Sequence, residues 1–370
     1  ETSGKKTLIP RGRAILTPRA TGFDKGTYLL DPTNISIFGN FGTDFTATDD
    51  PVDLGGAAAS FGLRKLKSTY TGDAIKVRRA IDGNTKTIGF KPDGSLDTAA
   101  LKNFGNNVFV TKWYDQSGNG NDATQTTASS QPKIVDGESL VMENGNVAIN
   151  FDGVDDRLDA PDSPSLDVAS SYSQFALTSS DNTSLNQIAA SKSTSQWVFN
   201  MGYRAGGFQA GFEDESDNNY LFISTGAASS NTPYLANFNF DAASGNYNLF
   251  VNSTNIESGN SGSALPATND NPLAIGASPG GNSKYFVGTM QEHLIYDSDQ
   301  SSNRNLVEQH ASAAFDIELN PPGSGSDEAT KATDSNGFSN FTVGYLERLS
   351  EHANINLQAS DSITLDLQGD

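Results

Sequence analysis

At 370 residues the chain is long enough for two domains, or for one large sandwich with appendages. Its formal charge of −20 and pI near 4.4 favour solubility and hard cations such as Ca²⁺, and argue against a nucleic-acid partner. The absence of cysteine excludes disulfides and thiolate metal sites, and only three histidines (His293, His310, His352) stand against a transition-metal centre. Abundant Gly (36 residues) with 35% hydrophobic residues suits many short strands joined by polar turns, not a helical bundle. No apolar run approaches the ~18 residues of a membrane span. The opening lacks the charged and apolar regions of a signal peptide, so a leader is expected to be removed or to lie upstream.

The first region, residues 1–51, opens with a basic arm: Lys5, Lys6, Arg11, Arg13, Arg19 and Lys25. The composition fits a solvated terminus or an arm that docks on acidic neighbours. Tyr28/Leu30 and Ile35/Ile37 then alternate around Asp31-Pro32, which predicts two short strands and a turn.

Residues 52–316 read as the β-sandwich. Phe61–Leu66 and Ala74–Arg79 are period-2 strands with Arg and Lys on their outer faces. Further strands are predicted at Val108–Tyr114, Val147–Phe151, Gln174–Leu177, Trp197–Met201, Gly207–Phe212, Tyr220–Ile223, Tyr234–Phe240, Tyr247–Val251, Leu273–Ile275 and Phe286–Tyr296. Strands this short, with Gly, Asn, Asp, Ser and Pro between them, mark a sandwich and not a parallel sheet. A closing helix is predicted over Ser301–Phe315, with Ser301 or Ser302 as its N-cap and the helix at the sandwich margin.

Residues 317–370 begin with a linker signal at Pro321-Pro322-Gly323. Beyond it, Ile355/Leu357 and Ile363/Leu365/Leu367 alternate with polar residues, as the rungs of a β-solenoid or the arms of a hairpin do. The two flanks are therefore expected to place 27–37 beside 353–367, with the sandwich inserted between them.

Two motifs stand out within the sandwich. Trp113-Tyr114-Asp115-Gln116-Ser117-Gly118-Asn119-Gly120-Asn121-Asp122 and Phe151-Asp152-Gly153-Val154-Asp155-Asp156-Arg157-Leu158 each run an aromatic-bearing strand into a tight, carboxylate-rich turn. Both resemble the W-x-D-x-S-G-N-G-N and F-D-G-x-D-D-x-L stretches of LamG-like jelly rolls. Phe286–Tyr296 resembles the closing strand of those domains. The resemblance implies an all-β, concanavalin-like jelly-roll sandwich that is secreted and lectin-like. Phe61–Gln125 is further similar to the sandwich of B-type α-L-arabinofuranosidases and of phage and marine bacterial surface proteins. Tyr28–Ile37 and Phe341–Leu365 resemble segments of filamentous-haemagglutinin-type secreted adhesins.

The candidate metal ligands for Ca²⁺ are Asp115 and Asp122 in the first loop, with Asp152, Asp155 and Asp156 in the second, sharing an ion if the loops meet at one rim. The same residues also serve as turn caps, with Asn119 and Asn121 in the left-handed region, and Arg157 is placed to neutralise part of the second cluster. For a sugar face, Tyr114, Tyr203 and Tyr220 combine a flat ring with polar neighbours, whereas Trp113 and Trp197 lie among apolar residues and read as core.

Hydrolysis of a glycoside needs two facing carboxyl groups. Glu213-Asp214-Glu215 departs from the E-x-D-x-E spacing of concanavalin-like glucanases, since Asp214 points away from its neighbours in a strand. Glu292 and Asp297 flank the closing strand without forming an evident pair. The expectation is therefore a non-catalytic extracellular or cell-surface module of an adhesin, binding glycans or self-associating into a filament or fibre. The alternatives are an arabinofuranosidase-type hydrolase and a phage or virion fibre component.

Overall fold

The computed structural model describes residues 51–319 except 194–196, 217, 227 and 279–283. The flanking strands expected at 27–37 and 353–367, the basic arm and the Pro321-Pro322 break lie outside the described residues. The described part is an antiparallel, mostly-β jelly roll with two short helices.

The chain enters through β1 (Ala57–Gly62), β2 (Ile75–Arg79), β3 (Thr85–Ile88), α1 (Thr98–Phe104), β4 (Val108–Trp113), β5 (Ala123–Thr124) and β6 (Lys133–Asp136). Short pieces follow: β7 (Ser139–Leu140), β8 (Met142–Glu143), β9 (Asn146–Val147), β10 (Ile149–Asp152) and β11 (Leu158–Ala160). The long strands are β12 (Tyr172–Ser180), β13 (Gln187–Ser193), β14 (Trp197–Arg204), β15 (Gly207–Glu213), β16 (Asn219–Ser224), β17 (Pro233–Asp241), β18 (Asn246–Val251) and β19 (Thr254–Asn260). β20 (Leu273–Ile275), β21 (Val287–Tyr296) and α2 (Arg304–Phe315) close the domain.

Pairing resolves the sheet into two layers. One runs β3-β2-β4-β6-β10, then β21, β12, β17, β18 and β19. The other runs β5-β11-β20-β13-β14-β15-β16 and joins the first where β4 also pairs with β5. β1 and β10 share one edge of β21, β10 at its start and β1 at its end. This arrangement decides where the two motif loops fall.

The core fills the space between the layers. Tyr172 packs against Phe199 and Phe212 from the other layer (centroids 6.2 Å in both cases) and against Phe238 at 5.5 Å. Trp113 is fully buried against Phe61, at 5.8 Å. The outer face of the β21-β12-β17 layer is also apolar: Phe175, Leu177, Leu235, Leu294 and Tyr296 point outward and α2 covers them with Val307, Ala311 and Phe315. Burying a side chain of this size contributes about 1.5–3 kcal/mol. β12 is accordingly buried on both faces along all nine residues.

Several boundaries differ from those read in the sequence. The closing helix begins at Arg304, because residues 301–303 form a turn in which Asp299 Oδ1 accepts from the Ser301 amide at 3.0 Å. Neither Ser301 nor Ser302 caps it, and it lies across the centre of the outer face, not at the margin. The short helix α1 had no apolar periodicity to announce it; it rests on Asp97, whose side chain accepts from the Ala100 amide at 2.9 Å. The sequence pattern does not announce β13 or β19: in Gln187–Ser193 only Ile188 is large and apolar, and Thr254–Asn260 is largely exposed.

Candidate functional site

The first motif loop is a staple. Asp115 is almost fully buried, and its carboxylate accepts from the amides of Ser60 (2.9 Å), Ser117 (2.9 Å) and Asn121 (3.0 Å) and from Ser117 Oγ (2.7 Å). Gln116 accepts from the Leu66 amide and donates to the carbonyls of Gly62 and Arg64. Asn119 and Asn121 donate to the Ala57 and Ala58 carbonyls. Every polar group of W-Y-D-Q-S-G-N-G-N-D named here ties β4 to β1 or closes the turn. The left-handed positions are Gly118 (φ 95°) and Gly120 (φ 79°), not Asn119 and Asn121 as expected. Asp122 accepts from the Asp115 amide at 3.0 Å and pairs with Lys112 Nζ at 2.9 Å. Asp115 and Asp122 are thus occupied by backbone amides, a hydroxyl and an ammonium, which removes the motive for assigning them to a metal.

The second loop sits elsewhere. Asp152 pairs with Val287 at the start of β21, whereas Ala57 pairs with Tyr296 at its end. At about 3.3 Å per residue a ten-residue strand spans about 30 Å. The structure therefore does not bring the two loops together, and the shared ion expected between them has no geometry. The tight turn requires Gly153 (φ 76°), where a Cβ would stand 2.7 Å from that of Val287.

Asp152, Asp155 and Asp156 do meet one another: each offers a carboxylate oxygen, all within 4.8 Å. Asp152 Oδ1 accepts from the amides of Val154 (2.8 Å), Asp155 (3.2 Å) and Asp156 (3.4 Å), and Asp155 accepts from Ser130 Oγ at 2.9 Å. Arg157, expected to neutralise this cluster, turns to Asp159 at 3.0 Å. Burial, then the charge of Asp152, pushes the Asp156 carboxyl up to about 7. A carboxylic acid that keeps its proton near neutrality beside two other carboxyl groups suits proton transfer, and the same oxygens suit a hard cation.

The tyrosines separate into three cases. Tyr203 is buried in the core against Phe208 (4.9 Å) and Phe286 (6.1 Å), its hydroxyl donating to the Thr178 carbonyl at 3.2 Å. It is a core residue, which corrects the expectation that it faces a ligand. Tyr220 is half-buried and stacked on Phe212 at 5.1 Å. Tyr114 is half-buried beneath the Lys112 ammonium, 5.1 Å from its ring centroid. Two neighbours of Tyr114 went unread: Asp73, and Tyr70, whose hydroxyl is pushed up to about 12 by burial and then by the charges of Asp122, Asp115 and Asp73. Their only sequence signal was the polar run Ser68–Asp73, which reads as an ordinary turn.

Glu292, Glu213, Asp214 and Glu215 have structural roles. Glu292 is buried and forms a two-pronged pair with Arg64, at 2.7 and 3.0 Å. Glu213 ends β15 and binds Asn219 at 3.0 Å, Asp214 caps the Ser216 and Asn218 amides, and Glu215 accepts from the Thr268 amide.

The class defined by this arrangement is a concanavalin-like jelly roll, and comparison with known proteins agrees. The family model "Concanavalin A-like lectin/glucanases superfamily" matches residues 151–303, and "Alpha-L-arabinofuranosidase B, catalytic" matches residues 52–152. The α-L-arabinofuranosidase B of Emericella nidulans is 45% identical over 71 residues, which cover 18% of this chain and 14% of that protein. A solved arabinofuranosidase complexed with arabinofuranosyl-α-1,2-xylobiose superposes with a TM-score of 0.55 at 18% identity, over 74% of this chain and 66% of its own. A GH54 α-L-arabinofuranosidase soaked with a cyclic sulfate inhibitor gives 0.54 at 16% identity, over 71% and 64%. The chain thus spans a small part of the curated relative and just under two thirds of these structures, and the structural likeness shows the fold.

These matches correct the functional expectation. The segment expected to belong to a non-catalytic adhesin module matches a catalytic-domain model, and that match overturns both the non-enzyme reading and the adhesin or filament role. The two matched segments, 52–152 and 151–303, lend no support to a haemagglutinin-type context for the flanks.

Proposed function

We propose that this chain is a glycoside hydrolase of the arabinofuranosidase type, acting on glycans that carry α-L-arabinofuranosyl groups. The observation that carries the reading is the match of residues 52–152 to the catalytic model of α-L-arabinofuranosidase B, reinforced by the 45% identity over 71 residues. The fold shared with arabinofuranosidases over 74% of the chain is consistent with it.

The chemistry is assigned to the Asp152/Asp155/Asp156 cluster. Asp156, protonated near neutral pH, donates a proton to the leaving glycosidic oxygen, and Asp155 is the second carboxylate. The carboxylate oxygens all lie within 4.8 Å of one another, inside the ~6.5–9.5 Å gap that admits the water of an inverting enzyme, so retention of anomeric configuration is the expected outcome. A separate sugar-contacting patch is proposed at Tyr114, beside Tyr70 and Asp73, at the other end of β21. Ca²⁺ belongs to the proposal as a competitor of the Asp156 proton at the same oxygens, and an extracellular setting as the compartment that suits this composition and substrate. Among the described residues no helix is long and apolar enough to cross a membrane.

The test is turnover of an aryl α-L-arabinofuranoside by the full chain, read together with Asp155→Asn and Asp156→Asn. Wild-type turnover in both variants would remove the cluster from the chemistry.

A further inference from the structure

Lys192 stands apart from the lysines on the surface. It lies on β13, its side chain has no exposure to solvent, and three oxygens from two segments converge on its Nζ. Asp162 Oδ1 is 2.7 Å away, Asp167 Oδ1 is in direct contact, and the Asn269 carbonyl oxygen accepts at 2.7 Å. Asp162 and Asp167 bracket the single 3₁₀ turn Pro164–Leu166, so both carboxylates are held on a short, stiff segment. Leu166, between them, is buried in the main core, which fixes that segment against the sheet.

We propose that Lys192 and Asp167 form an intramolecular isopeptide bond, with Asp162 relaying the protons. A buried ammonium touching a carboxylate holds the atoms of an amide plus one water. Asp162 takes one proton from Nζ, and the freed amine attacks Cγ of Asp167. The new N–C bond forms as a C–O bond of Asp167 breaks. Two of the three Nζ protons leave with that oxygen as water, Asp162 ends ionised as it began, and no oxidant or co-reactant is required.

The product clamps β13 to the segment before β12 across 25 positions of sequence. Such a cross-link restricts the unfolded chain as a disulfide would, in a protein that has no cysteine to form one. Full burial of the lysine stem keeps Nζ at the carboxyl, while the two carboxyl groups are each about a third exposed, which gives the released water a way out. The inference does not depend on the hydrolase reading, since it concerns none of the residues assigned there.

The experiment is mass spectrometry of the full chain under denaturing conditions, followed by peptide mapping. The wild-type chain should be lighter than its sequence by one water, and digestion should yield one branched peptide joining the segments of Asp167 and Lys192. Lys192→Arg and Asp167→Ala should have their full masses. Asp162→Asn keeps both reacting groups and should also stay at full mass, because the relay is gone. Separate Asp167 and Lys192 peptides from folded wild-type protein would overturn the proposal, as would a branch at Asp162. A cross-link that persists in Asp162→Asn would overturn the relay.

Discussion

The Asp152 amide donates to Asp156 Oδ2 at 3.1 Å, while the Asp156 amide reaches back to Asp152 Oδ1 at 3.4 Å. The two carboxylates are thereby locked within one turn, and burial together with the Asp152 charge holds the Asp156 carboxyl near 7, well above its ordinary 3.8. The folded state then keeps a proton that the unfolded chain has lost. Between about pH 4 and 7 this group must lower stability as the pH rises, with no further change above that window.

A second group opposes it. His293 is fully buried with neither ring nitrogen hydrogen-bonded, and burial pulls it down to about 3 from 6.5. Its contribution is complete above pH 6.5 and is lost as the pH falls towards 3. The wild-type profile mixes the two groups, so the informative quantity is a difference. Asp156→Asn should gain stability relative to wild type steadily from pH 4 to 7 in chemical denaturation. A difference independent of pH would show that Asp156 titrates normally.

Ca²⁺ bound at the proposed site would compete with the Asp156 proton for the same oxygens. A ligand that binds only the folded state stabilises by RT ln(1 + [L]/Kd), ~2.7 kcal/mol at a hundredfold excess over Kd. The melting temperature should therefore rise between EDTA and millimolar Ca²⁺, more at pH 8 than at pH 6, and Asp155→Ala should abolish the rise. Identical melting in both buffers at pH 8 would remove the cation from the account.

The Arg64–Glu292 pair lies under Phe315, with the guanidinium 6.0 Å from the ring, and burial pushes the Glu292 carboxyl up despite its partner. Arg64→Met leaves that carboxyl buried and uncompensated, which typically costs about 3–5 kcal/mol. The double variant Arg64→Met/Glu292→Gln should recover much of the loss in urea denaturation. Additive losses would mean that the two side chains are not coupled.

How much of this was legible turned on where periodicity carried the signal. Leu273–Ile275 was read with its observed ends, and the closing strand to within one residue, because each lies between plain turn signals. Tyr172–Ser180 was read only in its middle: α2 covers its outer face, so both faces are buried and the polar ends carry no alternation. The site was harder. Asp115 and Asp156 come from similar turns rich in Gly and Asp, yet one is satisfied by four hydrogen bonds and the other stands among carboxylates. That difference depends on which end of β21 each turn reaches, a fact of strand pairing that no local spacing encodes.

Tyr203 tests the division between core and surface. Tyr203→Phe removes only the bonds to Thr178 and should cost about 0.5–1.5 kcal/mol of stability. Tyr203→Ala opens a cavity between the layers and should cost about 3–5 kcal/mol. Equilibrium unfolding measures both, and a negligible loss in the alanine variant would return Tyr203 to the surface.

The most direct test of the central claim is release of arabinose from an aryl α-L-arabinofuranoside, and from an arabinose-substituted polysaccharide, by the folded full chain. The account predicts turnover with retained anomeric configuration, and a fall of about 10²–10⁴ in kcat for Asp156→Asn at unchanged fold, the usual contribution of a general acid. No release by folded wild-type protein on either substrate, with or without Ca²⁺, would contradict it.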